Sequence, residues 1–283
     1  MEIYRNRSLK EYSTFKIGGD ADYLIEVKTQ EEAAQAISFA NQHNLKWAVV
    51  GKGSNTLFSD QGFRGVVIVN LITHFVQNEN IFTVGAGFSF AYLGIKTASL
   101  GYSGLEFASG IPGSVGGAVY MNAGACGSET KDCLNQVVFC DEAGQIQTLV
   151  KEVLNFSYRK SDFQKKKGMI IEATFSLQKN EQAKTIQQQL LNHRIKTQPY
   201  QDPSIGCFFK NPSQAVKAGF LIDQCGLKGM RVGGAEVSTL HANFIVNKDH
   251  ASASDVLELK KLVKALVLEK TGYLLEEEVY VWD

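Results

Sequence analysis

The sequence GIPGSVGGAVYMNAGA, residues 110–125, constrains the fold more strongly than any other segment of the chain. Its first nine residues contain four glycines, and neither helix nor strand periodicity fits the segment. So little side-chain bulk indicates close approach of the backbone to a large flat ligand or to a diphosphate. A tightly packed crossover between subdomains explains the composition equally well, so the segment alone leaves both interpretations open.

A second segment rich in small residues, Gly51-Lys52-Gly53-Ser54-Asn55, directly follows the predicted strand WAVVG. Its small side chains would let consecutive backbone N–H groups face an anion. The segment matches neither GxxxxGK[ST] nor GxGxxG, the two commonest nucleotide-binding patterns. Taken alone, it predicts a turn with the outline of a phosphate site.

Hydrophobic periodicity, caps and turn residues predict a chain of mixed helices and strands. Helices are expected from a Thr29 cap to about residue 41, at 89–100, 181–198 and 254–271, and near 213–225. The predicted strands are WAVVG, RGVVIVNL, IFTVGAG, NQVVFC, QIQTLV, MIIEATFSLQ, ANFIVN and LLEEEVYVW. Asp-Glu-Ala-Gly at 141–144 predicts a hairpin between two of them.

Composition and charge indicate a globular protein that acts on a small molecule. The 283 residues are 44% hydrophobic, and 29 Lys and Arg residues balance 29 Asp and Glu residues. That balance removes the positive field with which nucleic-acid-binding proteins attract phosphates. The charged amino terminus lacks a signal-peptide core, and no run has the length of a membrane span. We expect a cytoplasmic monomer without nucleic-acid or membrane partners.

Five cysteines, an odd number without a CxxC pair, predict neither a disulfide framework nor a zinc knuckle. The even spacing of Cys126, Cys133 and Cys140 leaves a metal site as a minor alternative. Cys140 ends the apolar run VVFC, and free cysteine commonly serves as a small core residue. We therefore expect no metal.

Seven motifs, in order along nearly the whole chain, resemble the UDP-N-acetylenolpyruvoylglucosamine reductase (MurB) family. They are STFKIGG (13–19), GKGSN (51–55), GIPGSVGGAVYMNAGA (110–125), YRKSDF (158–163), GCFFKNP (206–212), AGFLIDQCGLKGMRVGGAEVSTLHANFIVN (218–247) and LEEEV (275–279). One such motif would be weak, but seven in register are specific.

The resemblance implies an α+β fold. Residues 1–179 would form an FAD-binding unit of the vanillyl-alcohol oxidase or p-cresol methylhydroxylase type, made of two α/β subdomains at about 1–70 and 71–179. Residues 180–283 would form an α+β domain for the UDP-sugar substrate. Only nine residues separate Arg159 from the next strand at Met169, which leaves no room for the insertion of longer members. The chain resembles the shorter, type II subclass.

The implied reaction is reduction of UDP-N-acetylenolpyruvoylglucosamine to UDP-N-acetylmuramate, a step of peptidoglycan precursor synthesis that uses FAD and NADPH. Hydride would reach the terminal vinyl carbon, and negative charge would build on the adjacent carbon and the carboxylate. The site therefore needs a cation and a proton donor. By resemblance, FAD would be bound by Gly51, Lys52, Gly53, Ser54, Asn55, Gly110, Ile111, Pro112, Gly113, Ser114, Gly116 and Gly117.

The resemblance also assigns catalytic residues. Arg159 matches the family's catalytic arginine, and its guanidinium fork suits a carboxylate. Cys207 stands where typical members carry the serine that donates the proton; a thiol with a pKa around 8.5 is the stronger acid. Glu278 matches the catalytic acid of the LExEV pattern, although Tyr280 replaces the arginine that usually follows. Each residue also has a plainer explanation, as a surface charge or, for Cys207, as a filler of space.

Lys210, Asn211 and Asn243 match substrate-binding positions, where a lysine suits a diphosphate or carboxylate and asparagines suit polar sugar or base edges. Two other functions remain open from sequence. A flavin oxidase of the same superfamily would share only the logic of the first 180 residues. A catalytically silent flavin- or UDP-sugar-binding protein would explain the changes at Cys207 and Tyr280 as decay.

Overall fold

The computed structural model describes residues 1–282 and mixes helices with strands along the whole of that range. The α-helices are α1 (Gln30–Gln42), α2 (Phe90–Ser99), α3 (Val115–Tyr120), α4 (Ala183–Thr197), α5 (Ala218–Gln224) and α6 (Ala253–Thr271). Short 3-10 turns lie at Leu9–Tyr12, Glu106–Gly110, Thr130–Asp132, Lys151–Val153 and Asp162–Gln164.

The strands are short and numerous. They are β1 (Glu2–Ser8), β2 (Asp20–Val27), β3 (Trp47–Val50), β4 (Thr56–Phe58), β5 (Phe63–Asn70), β6 (Phe75–Asn78), β7 (Ile81–Gly85), β8 (Tyr102–Ser103), β9 (Gly124–Ala125), β10 (Ser128–Glu129), β11 (Leu134–Asp141), β12 (Ile146–Val150), β13 (Phe156–Ser157), β14 (Lys160–Ser161), β15 (Gly168–Ser176), β16 (Gln178–Lys179), β17 (Ser204–Cys207), β18 (Arg231–Val232), β19 (Ala235–Val237), β20 (Phe244–Asn247) and β21 (Tyr280–Trp282).

Two compact units divide the chain. The first contains Met1–Arg5, Asp22–Lys52 and Arg64–Arg194; the second contains Asn6–Ala21, Gly53–Phe63 and the described chain from Ile195 onward. These limits do not coincide with the expected boundary between residues 179 and 180, since most of α4 belongs to the first unit and two early segments belong to the second. Local sequence patterns do not show which unit an early segment joins, because contacts between residues far apart in the chain decide it.

The first unit contains most of a four-stranded sheet, the whole of a five-stranded sheet, three two-stranded sheets and two apolar cores. The four-stranded sheet has the order β1-β2-β5-β3, with β3 and β5 parallel; the five-stranded sheet, β12-β11-β15-β7-β6, is antiparallel throughout. Ile37 of α1 shares a core with strand residues Ile68 and Ile171, and Phe90 of α2 shares the other with Phe82. Packing of these cores fixes the positions of residue 51 and residues 110–117.

The second unit is built on the antiparallel sheet β17-β20-β19-β18 and on a separate parallel pair, β21 with β4. Its core combines Phe208 with Leu221 of α5 and with Val256 and Leu259 of α6. Burial of each such side chain stabilises the unit by about 1.5–3 kcal/mol. The core thereby holds in place the segments that contain Cys207 and Glu278.

Several predicted helix ends are confirmed. The Thr29 side chain accepts a hydrogen bond from the Glu32 N–H (3.2 Å) and begins α1, and Ser89 caps α2 in the same way. A capping box of Ser252 and Asp255 begins α6, and Gly272 ends it with a left-handed φ of 74°. The predicted hairpin at 141–144 joins β11 to β12. Each of these signals is local, which is why the sequence shows it.

Two element predictions were wrong in extent. The helix expected from about residue 213 begins only at Ala218, because the Asn211 side-chain oxygen (Oδ1) accepts from the Ala218 N–H (3.0 Å) and fixes the preceding residues as a loop. The strand expected over residues 274–282 is regular only at Tyr280–Trp282. Before that, Glu277 makes an isolated bridge to Phe209, so the segment changes its partner.

The cysteines behave mainly as small apolar residues. Cys133, Cys140 and Cys225 are buried, and burial raises the pKa of Cys133 to about 12 and that of Cys140 to about 11. The expected core role of Cys140 is confirmed. Across residues 1–282, no three His, Cys, Asp or Glu side chains form a group that could hold a metal ion. Within the same range, none of the helices combines the length and apolarity needed to cross a membrane.

Candidate active site

Gly51 of the GKGSN motif and Ser114 of the GIPGSVGGAVYMNAGA motif are in contact within the first unit. A Cβ atom added at Gly51 would lie 2.1 Å from the Ser114 Oγ atom, so the contact is possible only for glycine. Both residues were predicted from sequence as parts of one cofactor site, although they lie 63 positions apart in the chain (114 − 51). The structure therefore brings these two predicted residues together.

Residues 110–117 combine firm backbone anchoring with an accessible edge. The N–H of Val115 donates to the Phe88 carbonyl (2.9 Å), and the N–H of Gly116 donates to the Ala86 carbonyl (2.8 Å). At Gly116 an added Cβ would lie 2.9 Å from the Ala86 Cβ, so close packing within the unit explains this glycine. Pro112 and Gly117 are exposed. Tight packing thus explains Gly116, whereas Pro112 and Gly117 are open to solvent.

The remaining members of the two motifs vary in burial. Gly110, Gly113 and Ser114 are buried, and Ile111 is half-buried. Lys52 is exposed as a residue, yet partial burial of its ammonium group lowers its pKa. A lysine beside a backbone of low bulk suits a phosphate as a point charge. The chemistry of these groups fits a ligand that carries a diphosphate.

Gly53, Ser54 and Asn55 belong to the second unit. Gly53 has a φ of 57°, and a Cβ added there would lie 2.0 Å from the Tyr12 carbonyl oxygen. Ser54 is half-buried. The Asn55 side-chain amide donates to the Glu278 carbonyl (3.1 Å). Asn55 is therefore tied to a predicted catalytic residue of its own unit.

Arg159 lies in the two-residue turn between β13 and β14, and its backbone is in the left-handed region, with φ at 57°. A residue with a Cβ is strained there by about 1–2 kcal/mol. The Gln164 side chain donates to the Arg159 carbonyl (3.0 Å), and the guanidinium carbon lies 5.1 Å from the centre of the Tyr158 ring. The turn is thus held in a conformation that arginine does not prefer.

Asn122 fastens this hairpin to the end of the glycine-rich segment. Its side chain is fully buried; it donates to the Ser157 carbonyl (3.0 Å) and the Glu129 carboxylate (3.1 Å), and accepts from the Lys131 N–H (3.1 Å). Its φ is 43°. Sequence analysis did not single out Asn122; the Asn-Ala-Gly run, typical of left-handed backbone, was the available signal.

Replacing Asn122 by alanine should lower the free energy of unfolding by about 2–4 kcal/mol, since it leaves buried hydrogen-bonding groups without partners and keeps the left-handed backbone. Urea unfolding midpoints would measure the change. Asn44→Ala is the matched control, because Asn44 also has a positive φ (53°) but is exposed. Equal losses in the two variants would show that backbone conformation alone makes Asn122 important.

Cys207 lies at the end of β17, after an irregularity in the pairing with β20. Gly206 lies within this irregularity and has a φ of 81°, which glycine adopts readily. The N–H of Phe208, the residue after Cys207, donates to the Asn243 carbonyl (2.7 Å), so the chain is again bonded to the sheet. Cys207 is half-buried, unlike Cys133, Cys140 and Cys225.

Glu278 lies on a segment that is hydrogen-bonded to the residues just after Cys207. The Glu278 N–H donates to the Phe208 carbonyl (2.9 Å), and the Lys210 N–H donates to the Glu276 carbonyl (2.8 Å). The two segments are antiparallel, with Phe209 opposite Glu277. The structure therefore places the predicted donor and the predicted acid on adjoining backbone segments of one unit.

Glu277 anchors the segment to α6. Its carboxylate lies 2.9 Å from the Lys264 ammonium and 3.4 Å from that of Lys260. Burial raises the pKa of the Glu277 carboxyl, but the hydrogen bond and charge of Lys264, with the charge of Lys260, lower the pKa overall. The neighbouring Glu276 is paired with Lys210 instead. The two neighbouring glutamates therefore pair with different elements.

Because the folded-state pKa of Glu277 lies below its unfolded value, its charge stabilises the protein above the ordinary glutamate pKa of about 4.3. That contribution disappears as the pH falls through the folded-state pKa. Glu277→Gln should lower Tm at pH 7, and its difference from the native chain should shrink below about pH 4. Glu276→Gln, with a side chain 69% exposed, should change Tm little at either pH. A pH-independent Tm difference for Glu277→Gln would contradict this assignment.

The predicted substrate-binding residues differ in accessibility. Lys210 is ion-paired with Glu276, and the Asn211 side chain caps the start of α5. Asn243 is 3% exposed; its amide accepts from the Phe209 N–H (3.0 Å) and donates to the Phe209 carbonyl (2.8 Å). Asn243 thus holds the backbone that carries Lys210, a role that sequence analysis missed.

Known proteins and families provide an independent comparison. Residues 21–149 match the FAD binding domain family, and residues 198–282 match the C-terminal domain of UDP-N-acetylenolpyruvoylglucosamine reductase. The reductase of Protochlamydia amoebophila is 49% identical, over 97% of this chain and 92% of that protein, and the reductase of Chlamydia muridarum is 47% identical, over 96% and 92%.

A solved structure supports the same relationship. The crystal structure of UDP-N-acetylenolpyruvylglucosamine reductase (MurB) from Thermus caldophilus has a TM-score of 0.83 and 37% identity to this chain, covering 100% of this chain and 98% of that one. The fold and the FAD-binding match together define a flavoprotein oxidoreductase with an α+β C-terminal region, as the sequence predicted. The chain belongs to the UDP-N-acetylenolpyruvoylglucosamine reductase (MurB) family.

Proposed function

We propose that this protein reduces UDP-N-acetylenolpyruvoylglucosamine to UDP-N-acetylmuramate with electrons from NADPH, in the cytoplasm, for peptidoglycan precursor synthesis. The observation that supports this best is the backbone pairing of Phe208 with Glu278, which joins the segment after Cys207 to the segment of the proposed acid. Family membership supports the substrate. Residues 1–179 would serve FAD binding and residues 180–283 substrate binding, in a monomer of the type II subclass.

The residues of the two glycine-rich motifs fit FAD. Gly51 and Ser114 are in contact, Pro112 and Gly117 are exposed, and Lys52 supplies a cation. Backbone N–H groups of such segments suit a pyrophosphate. When bound, FAD supplies the hydride for the vinyl carbon. The chain's own residues then bind the substrate, stabilise the developing charge and deliver a proton.

Arg159 is proposed as the cation for the substrate carboxylate. Its guanidinium fork matches a carboxylate in two hydrogen bonds, and the strained turn fixes the direction from which the side chain extends. Charge that builds on the carboxylate during the reaction would be stabilised without reorganisation of the site. The strain would be retained because the Asn122 and Gln164 contacts hold the turn.

Cys207 is proposed as the proton donor to the substrate carbon. A thiol is mostly protonated at neutral pH and is a stronger acid than the serine hydroxyl of typical family members. The bulge at Gly206 leaves Cys207 half-buried, so it is accessible to a substrate. Glu278 on the adjoining segment would support this protonation or stabilise the intermediate.

Lys210 and Asn211 are proposed to bind polar groups of the substrate. Lys210 would have to exchange its Glu276 partner for a substrate anion. Breaking this ion pair costs little free energy because the Glu276 side chain is 69% exposed. Asn243 is proposed to act in the substrate site through Phe209, because its side chain bonds to both the N–H and the carbonyl of that residue. The substrate diphosphate would be bound without a tyrosine from the insertion of longer members.

Anaerobic mixing of the purified yellow protein with NADPH, with and without UDP-N-acetylenolpyruvoylglucosamine, tests the function. We expect oxidation of NADPH, followed at 340 nm, that depends on the sugar nucleotide and yields UDP-N-acetylmuramate. Consumption of oxygen with an alcohol substrate would favour the oxidase alternative. Bound FAD without NADPH oxidation under any substrate would favour a silent binding protein. Parallel assays with NADH would establish the nicotinamide preference.

A further inference from the structure

Thr14, in the early STFKIGG motif, contacts the segment of the proposed proton donor. The Thr14 hydroxyl donates to the Ser204 carbonyl (2.7 Å), the first residue of the strand that ends at Cys207. It also lies 3.4 Å from the Gly53 carbonyl, which accepts from the Thr14 N–H (3.3 Å). Thr14 therefore connects Gly53 with the Cys207 strand, and all of these residues lie in the second unit.

Other contacts keep Thr14 in place. Phe15 is fully buried in the core of the unit, and its carbonyl accepts from the Asn247 side chain (3.0 Å). Asn247 ends β20, the strand that pairs with β17. The Ser13 hydroxyl accepts from the Phe15 N–H (3.1 Å). A displacement of Thr14 would thus disturb the sheet, so its hydroxyl is a fixed donor.

Asn55 makes the corresponding connection to the proposed acid. Its side-chain amide donates to the Glu278 carbonyl (3.1 Å), and its own carbonyl accepts from the Tyr280 N–H (3.0 Å). The Glu278 N–H is already bound to the Phe208 carbonyl. Both backbone groups of Glu278 are therefore fixed, one by the Cys207 side of the unit and the other by Asn55.

We propose that Thr14 and Asn55 are positioning residues for proton delivery, which hold Cys207 and Glu278 at a fixed mutual distance through residues 53–55. This inference rests on the proposed function of Cys207 and Glu278. Transfer of a proton to carbon requires closely held geometry, and a misplacement of about 1 Å can lower a rate about 10²-fold. Neither residue needs to contact the substrate for this role.

The first test separates the two half-reactions by rapid mixing. Thr14→Val keeps the branched shape but removes the donor, and should slow reoxidation of the reduced flavin by UDP-N-acetylenolpyruvoylglucosamine about tenfold. Flavin reduction by NADPH should stay within about twofold, and Thr14→Ser should restore most of the reoxidation rate. Equal slowing of both half-reactions, or an unchanged reoxidation rate, would overturn the proposal.

The second test needs no turnover. Amide hydrogen exchange at Glu278 and Tyr280 should become about tenfold faster in Asn55→Ser. Without the side-chain bond to the Glu278 carbonyl, the backbone segment that carries both N–H groups should open more often. Ser54→Ala, one residue away, should leave both exchange rates unchanged. Unchanged exchange in Asn55→Ser would overturn the positioning role of Asn55. If the native enzyme does not turn over the sugar nucleotide, the proposed function fails. The exchange result would still show whether Asn55 holds the Glu278 backbone.

Discussion

Cys207→Ala should lower the rate of substrate reduction about 10²–10⁴-fold and leave reduction of the flavin by NADPH nearly unchanged. The loss is of this size because a positioned acid contributes that much to a proton transfer. Cys207→Ser should recover most of the rate, since the hydroxyl restores a donor in a similar volume. Single-turnover reoxidation of the reduced enzyme, followed by flavin absorbance, is the measurement.

Alkylation provides the control for this prediction. Iodoacetamide should inactivate the native enzyme in step with modification of Cys207, whereas Cys207→Ser should resist inactivation. Cys126 is exposed, so it should be labelled in both proteins, and Cys126→Ala should keep full activity. Near-normal turnover by Cys207→Ala would show instead that Cys207 only fills space and that water or another group donates the proton.

Arg159→Gly should separate activity from stability. We expect kcat to fall about 10²–10³-fold, the usual effect of removing a group that stabilises developing charge. The left-handed φ of 57° is strained for arginine but not for glycine, and its relief is worth about 1–2 kcal/mol. The greater freedom of glycine in the unfolded chain offsets about 0.5–1 kcal/mol of that gain. The free energy of unfolding should therefore stay equal or rise by up to about 1.5 kcal/mol.

Two variants sharpen this test, with kinetics and urea unfolding measured on each. Arg159→Lys keeps the charge and the strain but loses the fork, so kcat should recover only partly. Lys160→Ala, at the exposed neighbouring position of the same hairpin, should leave kcat unchanged. A marked loss of stability in Arg159→Gly would mean that the guanidinium supports the fold, and the low activity could then not be assigned to substrate binding.

Much of the candidate site could be predicted from the sequence because its motifs are local. Residues 110–117 and the Gly51 turn were singled out for low bulk, and Gly51 with Ser114 proved to be in contact. The resemblance supplied Arg159, Cys207 and Glu278. The resemblance could not supply their conformations. The hairpin of Arg159 is held by the distant Asn122, which bonds to the Ser157 carbonyl, and the irregularity before Cys207 lies in the pairing of β17 with the distant β20.

The supporting residues were the least predictable. Asn122 and Thr14 bind backbone groups of remote segments, and Asn243, expected at the substrate, is buried with its amide bound to Phe209. A side-chain amide or hydroxyl in a sequence does not show which distant carbonyl it will reach. The assignment of Asn6–Ala21 and Gly53–Phe63 to the second unit is of the same kind.

Periodicity, caps and glycine positions predicted the longer helices and several strands, since those preferences act within a few residues of the chain, but they did not show the strands Glu2–Ser8 and Asp20–Val27 or the helix Val115–Tyr120. The motif order determined its family. Tertiary structure alone decided that the Glu276–Glu278 segment pairs first with Phe209 and then, from Tyr280, with Thr56. Backbone groups of an extended segment can pair with many neighbours, and only the packed core selects among them.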